Sequence, residues 1–232
     1  GHSEDLKFLE KWEKDNKNNL NFELKICILK KNHGAGYSRY AGFKICTGEF
    51  IAFLDDDDVW EETKIEKQLT WHLNNPEKII SSHLYCNGND FVNQRMKGYG
   101  YITFNQLLIG GVRIATPTIM IRKSLWPYNP EKLRYCEDWL MVSMIAKKEK
   151  IKIIPEVLAL RSRDVLPLKE DKLSLSNHKI RLRLGKVKAI FILFKREKIS
   201  LIALILLVFW QFILFIKGII KSFRGKLNIK NA

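Results

Sequence analysis

The sequence is poor in cysteine, with four in 232 residues, and they are scattered. Cys27, Cys46, Cys86 and Cys136 form no Cys-x-x-Cys pair, and no Cys/His cluster has metal spacing. That removes the usual thiolate zinc sites and makes a reducing compartment the simplest reading. Cys27 and Cys46 lie among apolar neighbours and read as core residues. His33 and His72 have no partners at metal spacing and read as structural. There is no signal peptide, no initiator Met and no internal repeat. The opening Gly1-His2-Ser3-Glu4-Asp5 therefore reads as the start of a fragment or a processed chain.

Acids are almost missing from the last quarter. Lys179 to Ala232 holds 13 Lys and Arg against one acid, Glu197. That stretch carries +12 of the net +15, and the first 178 residues carry only +3. A tail of this kind suits nucleic acid or anionic lipid. Its hydrophobicity favours lipid, so no nucleic-acid partner is expected. Lys179 to Phe194 has a basic amphipathic pattern, and Lys195-Arg196-Glu197-Lys198 is a charged break. Ile199 to Ile216 then has only Ser200 and Gln211 as polar side chains. As a helix this run would span about 27 Å, just short of a hydrocarbon core of roughly 30 Å. Both flanks are basic and give no orientation. A single-pass span and an in-plane helix fit equally, with a buried helix in a larger assembly as a third reading. The expected location is the cytoplasmic face of the cell membrane, peripheral or single-pass.

The body is organised around Phe50-Ile51-Ala52-Phe53-Leu54 followed by Asp55-Asp56-Asp57-Asp58. The apolar run reads as a strand buried on both faces. Four adjacent carboxylates repel one another, and a divalent metal held by their oxygens is the usual offset. The competing reading is a solvated acidic turn. Around this centre, 3–15 reads as a helix, Leu20 to Leu29 as a strand, Tyr37 to Cys46 as a helix and Glu61 to Leu73 as a helix with Ile65, Leu69 and His72 or Leu73 on one face. That alternation implies a parallel sheet. Ile79 to Leu84 reads as a strand, Cys86 to Gly100 as a loop or hairpin, and Tyr101 to Leu108 as a short helix. Val112 to Ile121 is β-prone, Pro127 to Pro130 marks a turn, Glu137 to Lys147 is a helix opening on two acids, and Ile151 to Leu160 is one or two strands around Pro155.

Two chemistries suit a strand that ends in spaced aspartates. One is metal-bridged binding of a nucleotide diphosphate. The other is phosphoryl transfer through an aspartyl nucleophile, because Asp55-Asp56-Asp57-Asp58-Val59 satisfies locally the first motif of haloacid-dehalogenase-like phosphatases. A wider match decides between them. Asn32-x-Gly34-x-Gly36-x-x-Arg39-x-x-Gly42, Thr47 through Trp60, and Lys64-Ile65-Glu66-Lys67-Gln68 together resemble glycosyltransferase family 2. Ala115-Thr116-Pro117-Thr118, Tyr135-Cys136-Glu137-Asp138-Trp139, Leu158-Ala159-Leu160-Arg161 and Leu173-Ser174-Leu175-Ser176 extend the resemblance to about residue 175.

The resemblance implies a GT-A-like, Rossmann-like α/β fold, a mixed sheet flanked by helices, over residues 1–176. Residues 177–232 would form C-terminal membrane-associated helices. It implies an inverting transferase moving a sugar from a nucleotide-sugar, a UDP-sugar, to a saccharide or lipid-linked glycan in bacterial cell-surface polysaccharide biosynthesis. Asp57 and Asp55 would hold Mg²⁺ or Mn²⁺, with Asp55 or Asp56 reaching the ribose. Asp138 would be the general base and Glu137 its support. Arg39 would contact the diphosphate or stand as a solvated helix residue, and Gly34 and Gly36 would allow close backbone approach or only a turn. Trp60 and Trp139 read equally as sugar-site walls or as core. Two departures stand out. Tyr40 replaces the family's Asn, and the first strand–helix–strand, roughly 30 residues, is missing, with Gly1-His2-Ser3-x-Asp5 resembling its remnant. A phosphatase, or a non-catalytic membrane-binding remnant of a transferase, stand as alternatives.

Overall fold

A computed structural model describes residues 3–16, 22–87, 90–91, 96, 98–109, 112–126, 133–161 and 179–230. The expected turn at Pro127 to Pro130, the Leu173 to Ser176 stretch and the first two residues lie outside these. Helix α1 is Ser3–Asn16 and α2 is Ala35–Ile45. Strands β1 (Phe50–Ala52) and β2 (Asp58–Trp60) flank the acidic cluster, and α3 (Lys64–Asn74) follows. Then come β3 (Ile80–Asn87), β4 (Asp90–Phe91), β5 (Tyr101–Ile102), α4 (Phe104–Ile109) and β6 (Met120–Arg122). The chain continues through α5 (Glu137–Lys148), β7 (Ile151–Arg161), α6 (Lys179–Glu197) and α7 (Leu201–Lys230).

The seven strands form one mixed sheet in the order β1-β6-β3-β7-β2, with β4 on β3 and β5 on β7. Only β3 and β7 pair in parallel. Since β6 is antiparallel to both β1 and β3, β1 runs the same way as β3. The strand expected over Leu20 to Leu29 does not form: residues 22–30 carry no ladder, so no parallel pair arises between them and β1. Nothing among the described residues pairs with the outer edge of β1. Cys27 and Cys46 are exposed rather than in the core: Cys27 lies in the unpaired residues 22–30, and Cys46 lies just past the end of α2. Pro155 does not split β7; the register jumps from His83↔Ile154 to Leu84↔Val157, so a bulge at Pro155-Glu156 absorbs the residue without an N–H.

Helix α5 carries seven consecutive buried residues, Leu140 to Ala146, and joins two cores. One face meets Ile51, Ile119, Ile121, Ile151 and Ile153 of the sheet region. The other meets Leu108 and Leu133, then Ala189, Ile190 and Leu193 of α6 and Leu204 and Leu207 of α7. Each such side chain contributes roughly 1.5–3 kcal/mol on burial. The C-terminal helices thus share a core with the body.

Helix α3 buries a stripe turned by about one residue from the expected one, keeping His72 inside and leaving Leu69 half-buried. Lys64, Gln68 and His72 are buried, while Ile65 and Leu73 are exposed. The sheet explains it, because it presents hydroxyls there: Gln68 donates to Ser81 Oγ and to the Thr118 carbonyl, and His72 Nε2 meets Ser81 Oγ at 3.0 Å. Helix α7 begins at Leu201, so its apolar run to Ile216 is 16 residues, about 24 Å. No helix among the described residues is long and apolar enough to cross a membrane.

Candidate active site

Strand β1 stops at Ala52, and burial then alternates: Phe53 is inside and Leu54 is half exposed. The expectation of a strand buried on both faces does not hold here, because β1 is an edge strand only three residues long. The backbone turns at once, with the Asp58 amide donating to the Asp55 carbonyl at 3.1 Å. The four carboxylates diverge from this turn. Asp55 meets Arg39 Nη2 at 2.6 Å, and Asp57 meets Arg161 Nη2 at 3.2 Å. Asp58 accepts from the Tyr85 hydroxyl, and the Asp56 residue is exposed. Two arginines therefore offset much of the repulsion that the cluster's charge creates. Burial pushes the Asp58 carboxyl up to about 6, with Asp57 and Asp55 adding to it against the Tyr85 hydrogen bond. Burial and Asp58 push the Tyr85 hydroxyl upward in turn.

Arg39 reaches two ways. Its other nitrogen, Nη1, meets Glu137 Oε1 at 3.0 Å, across 98 residues of sequence. Burial opposes its charge, but Asp55, Glu137 and Asp138 outweigh that and raise its pKa. The expectation of a diphosphate contact thus meets a residue already bridging the two acidic turns. Gly36 explains how helix α2 gets close enough: a Cβ there would stand 2.3 Å from Glu137 Cγ. Gly34 serves the backbone instead. It caps α2 with φ +90°, and its amide donates to Asn32 Oδ1 at 2.9 Å.

Glu137 and Asp138 open helix α5, whose N-terminus favours acids. Cys136 caps it at φ 62°, a left-handed conformation that costs a non-glycine residue energy. Burial, then the Asp138 charge, push the Glu137 carboxyl up to about 7, with Arg39 pulling it down. Asp138 accepts from the Trp139 amide at 2.7 Å. With Gly36, Arg39, Thr116, Trp126, Glu137 and Met141 it lines a cavity of about 20 Å³, room for roughly one water. A larger open groove of about 590 Å³ lies along Thr47 to Glu49 and Arg122 to Trp126. It shares only Trp126 with the small cavity, and its one carboxylate, Glu49, is paired with Arg122. Asp55, Glu137 and Asp138 lie at the acidic turns and not along that groove.

The structure brings Asp55, Arg39, Glu137, Asp138 and Gly36 together, with Asp57 two residues from Asp55 on the same turn. Trp60 and Trp139 are wedged in place: Trp60 Nε1 donates to the Pro117 carbonyl at 2.9 Å, and Trp139 Nε1 to the Leu107 carbonyl at 3.3 Å. Tyr40 lies beside Phe43 and Trp126, with centroids 5.9 and 6.4 Å apart. Sequence reasoning assigned no role to Arg161 or Tyr85. Arg161 sits opposite Asp58 in the β2–β7 ladder, a register that only strand pairing reveals.

The resemblance implies a divalent cation. Among the described residues no group of three His, Cys, Asp or Glu side chains is placed to hold one. Mg²⁺ is commonly held by one or two carboxylates and substrate phosphates. Asp57 and Asp55 lie on one turn and would be those carboxylates, with Arg161 and Arg39 seated on them here.

The family model for glycosyl transferase family 2 matches residues 4–128. An uncharacterized glycosyltransferase of Rickettsia felis is 34% identical over 128 residues, 53% of this chain and 21% of that protein. WfgD of Escherichia coli, described as a UDP-Glc:alpha-D-GlcNAc-diphosphoundecaprenol beta-1,3-glucosyltransferase, is 28% identical over 133 residues, 56% of this chain and 51% of WfgD. The chain thus spans about a fifth to a half of these relatives. Among solved structures, Staphylococcus aureus TarS 1-349 aligns with a TM-score of 0.57 at 21% identity, over 82% of this chain and 53% of that one.

Proposed function

We propose, for a chain that belongs to glycosyl transferase family 2 and has its GT-A-like fold, that it moves a sugar from a nucleotide-sugar to a saccharide or lipid-linked glycan with inversion. The observation that carries the reading is the Arg39 bridge, which joins the Asp55 turn to the Glu137-Asp138 turn in one site. The relatives support polysaccharide and lipid-linked glycan assembly as the setting: besides WfgD, an Erwinia amylovora relative is named for amylovoran biosynthesis. The UDP-Glc in the WfgD description supports a UDP-sugar donor. The family match across 125 residues, against a five-residue local motif, weighs against the phosphatase.

In the mechanism, Asp138 takes the proton of the acceptor hydroxyl as its oxygen attacks the anomeric carbon. The bond from that carbon to the diphosphate oxygen breaks, its electron pair leaves with the nucleoside diphosphate, and the configuration inverts in one displacement. Arg39 turns from Asp55 toward the diphosphate as charge builds there. Glu137 stays on Arg39 and orients it. Asp57, with Asp55, would hold Mg²⁺ or Mn²⁺, which supplies charge neutralisation at the departing phosphate.

Membrane association of α6 and α7 belongs to the same proposal, at the cytoplasmic face. Leu201, Ile202, Ile205, Leu206, Phe209 and Phe212 of α7 are exposed. Lys195, Arg196, Lys198 and Lys217 flank that apolar surface. The 24 Å run and the buried side at Leu204, Leu207 and Gln211 favour an in-plane helix over a span. The test is UDP-sugar consumption by the protein on vesicles. Activity lost with EDTA and restored by Mn²⁺ is the expected result. Hydrolysis of a phosphomonoester with beryllofluoride trapping, and no nucleotide-sugar turnover, would instead favour the phosphatase.

A further inference from the structure

Helix α6 touches the turn that carries Glu137 and Asp138 at three places, and both the helix and that turn lie beyond the residues 4–128 matched by the family model. A Cβ on buried Gly185 would stand 2.6 Å from Tyr135 Cβ and 2.8 Å from the Tyr135 carbonyl oxygen. Only a residue without a side chain allows this approach, and the contact is with backbone, which cannot swing aside. Cys136 Sγ donates to the Leu182 carbonyl at 3.4 Å. Lys186 Nζ sits 3.0 Å from the centroid of the Trp139 ring. Cys136 is the residue held at φ 62°, a conformation that persists only where its surroundings fix it. Tyr135, Cys136 and Trp139 bracket Glu137 and Asp138 on both sides.

We propose that α6 is a positioning element for the general base, with Gly185 seated on Tyr135 and Lys186 seated on Trp139 so that Asp138 keeps its direction. The proposal rests on the reading of Asp138 as base. The charged and titratable neighbours are few. Lys186 faces Asp138, Cys136, Arg113 and Arg183, while Asp138 acts on Arg39, Glu137, Cys136 and Lys186. Burial lowers the Lys186 pKa to about 7, with Arg113 and Arg183 opposing its charge and Cys136 and Asp138 favouring it. The Arg183 guanidinium donates to Gln211 Oε1 at 3.1 Å, so α7 braces α6 from behind.

The experiment compares kcat and KM for the donor, over a range of pH, in the intact protein and in Lys186→Met, Lys186→Arg, Gly185→Val and Asp138→Asn. Lys186→Met, which takes the cation off the Trp139 ring, lowers kcat about tenfold with donor KM within about twofold. Lys186→Arg keeps a cation on that ring and restores kcat. Gly185→Val lowers kcat with donor KM within about twofold, since it touches no donor-side group. An unchanged kcat in Lys186→Met overturns the proposal, and so does an equal loss in Lys186→Met and Lys186→Arg. Both residue pairs are read against thermal melting, so misfolding of Gly185→Val leaves the Lys186 comparison decisive. Asp138→Asn separates the two readings. Its full activity would mean that the base assignment fails, whereas its inactivity with normal Lys186 variants would mean that only the positioning role fails.

Discussion

Lys64 shows most sharply what a residue's surroundings can do. It is fully buried, its Nζ has no hydrogen-bond partner, and it lies 3.8 Å from the centroid of the Trp60 ring. Burial lowers its pKa from 10.5 to about 7. An unfolded chain then binds more protons than the folded one between pH 7 and about 10.5, so stability rises with pH across that window and its cost is full below pH 7. Lys64→Met, which keeps the stem and drops the charge, is expected to raise the thermal midpoint at pH 7 and to flatten its rise toward pH 10. Equal pH slopes in both proteins would contradict this. Arg39 is the second residue with a quantitative expectation. A lysine has one point charge and cannot reach Asp55 and Glu137 together. Arg39→Lys is expected to cost about a hundredfold in kcat/KM in a donor-turnover assay. At this scale the sequence was only partly legible. Asp55 and Glu137 meet on Arg39, but the burial of the Lys64-Gln68 stripe instead of Ile65 follows Ser81 and Thr118, which take the hydrogen bonds of Gln68.

Among elements, α2 and α5 meet at a single point of closest approach. Gly36→Ala puts a methyl group against Glu137. Helix α2 must retreat, and Arg39 with it. Donor turnover is expected to fall more than tenfold with only a modest loss of stability, about 1 kcal/mol. Wild-type turnover in that variant would show that the bridge is dispensable. Helix α7 carries a prediction of a different kind. Its exposed apolar surface and basic flanks should bring the protein onto anionic vesicles in a flotation assay, more weakly as salt rises. Leu206→Glu with Phe209→Glu should abolish flotation and leave the acidic site folded. Helices were the most legible elements: α1, α2, α3 and α5 appear within a few residues of their periodic patterns. Strands were less so. Residues 22–30 have the composition of a strand but no ladder, because pairing is a non-local property that composition does not carry.

Over the whole molecule, the two regions expected from charge are not independent. The weakly charged body and the basic tail share a core at Leu140, Met144, Ile190 and Leu204. The mixed sheet was anticipated through the resemblance rather than through periodicity, which read a parallel sheet from the first half. Only the ladders show that β6 lies between β1 and β3 and runs against both. The same topology gathers acids from residues 55–58 and 137–138 at one end of the sheet, and Arg39 ties them.

That single site is tested most directly by measuring donor binding and turnover separately in two variants. Calorimetry with a UDP-sugar and Mn²⁺ gives binding, and release of UDP gives turnover. Asp57→Ala is expected to lose both, while Asp138→Asn keeps binding within about threefold and loses turnover by about a thousandfold. Unchanged turnover in either variant would contradict the account.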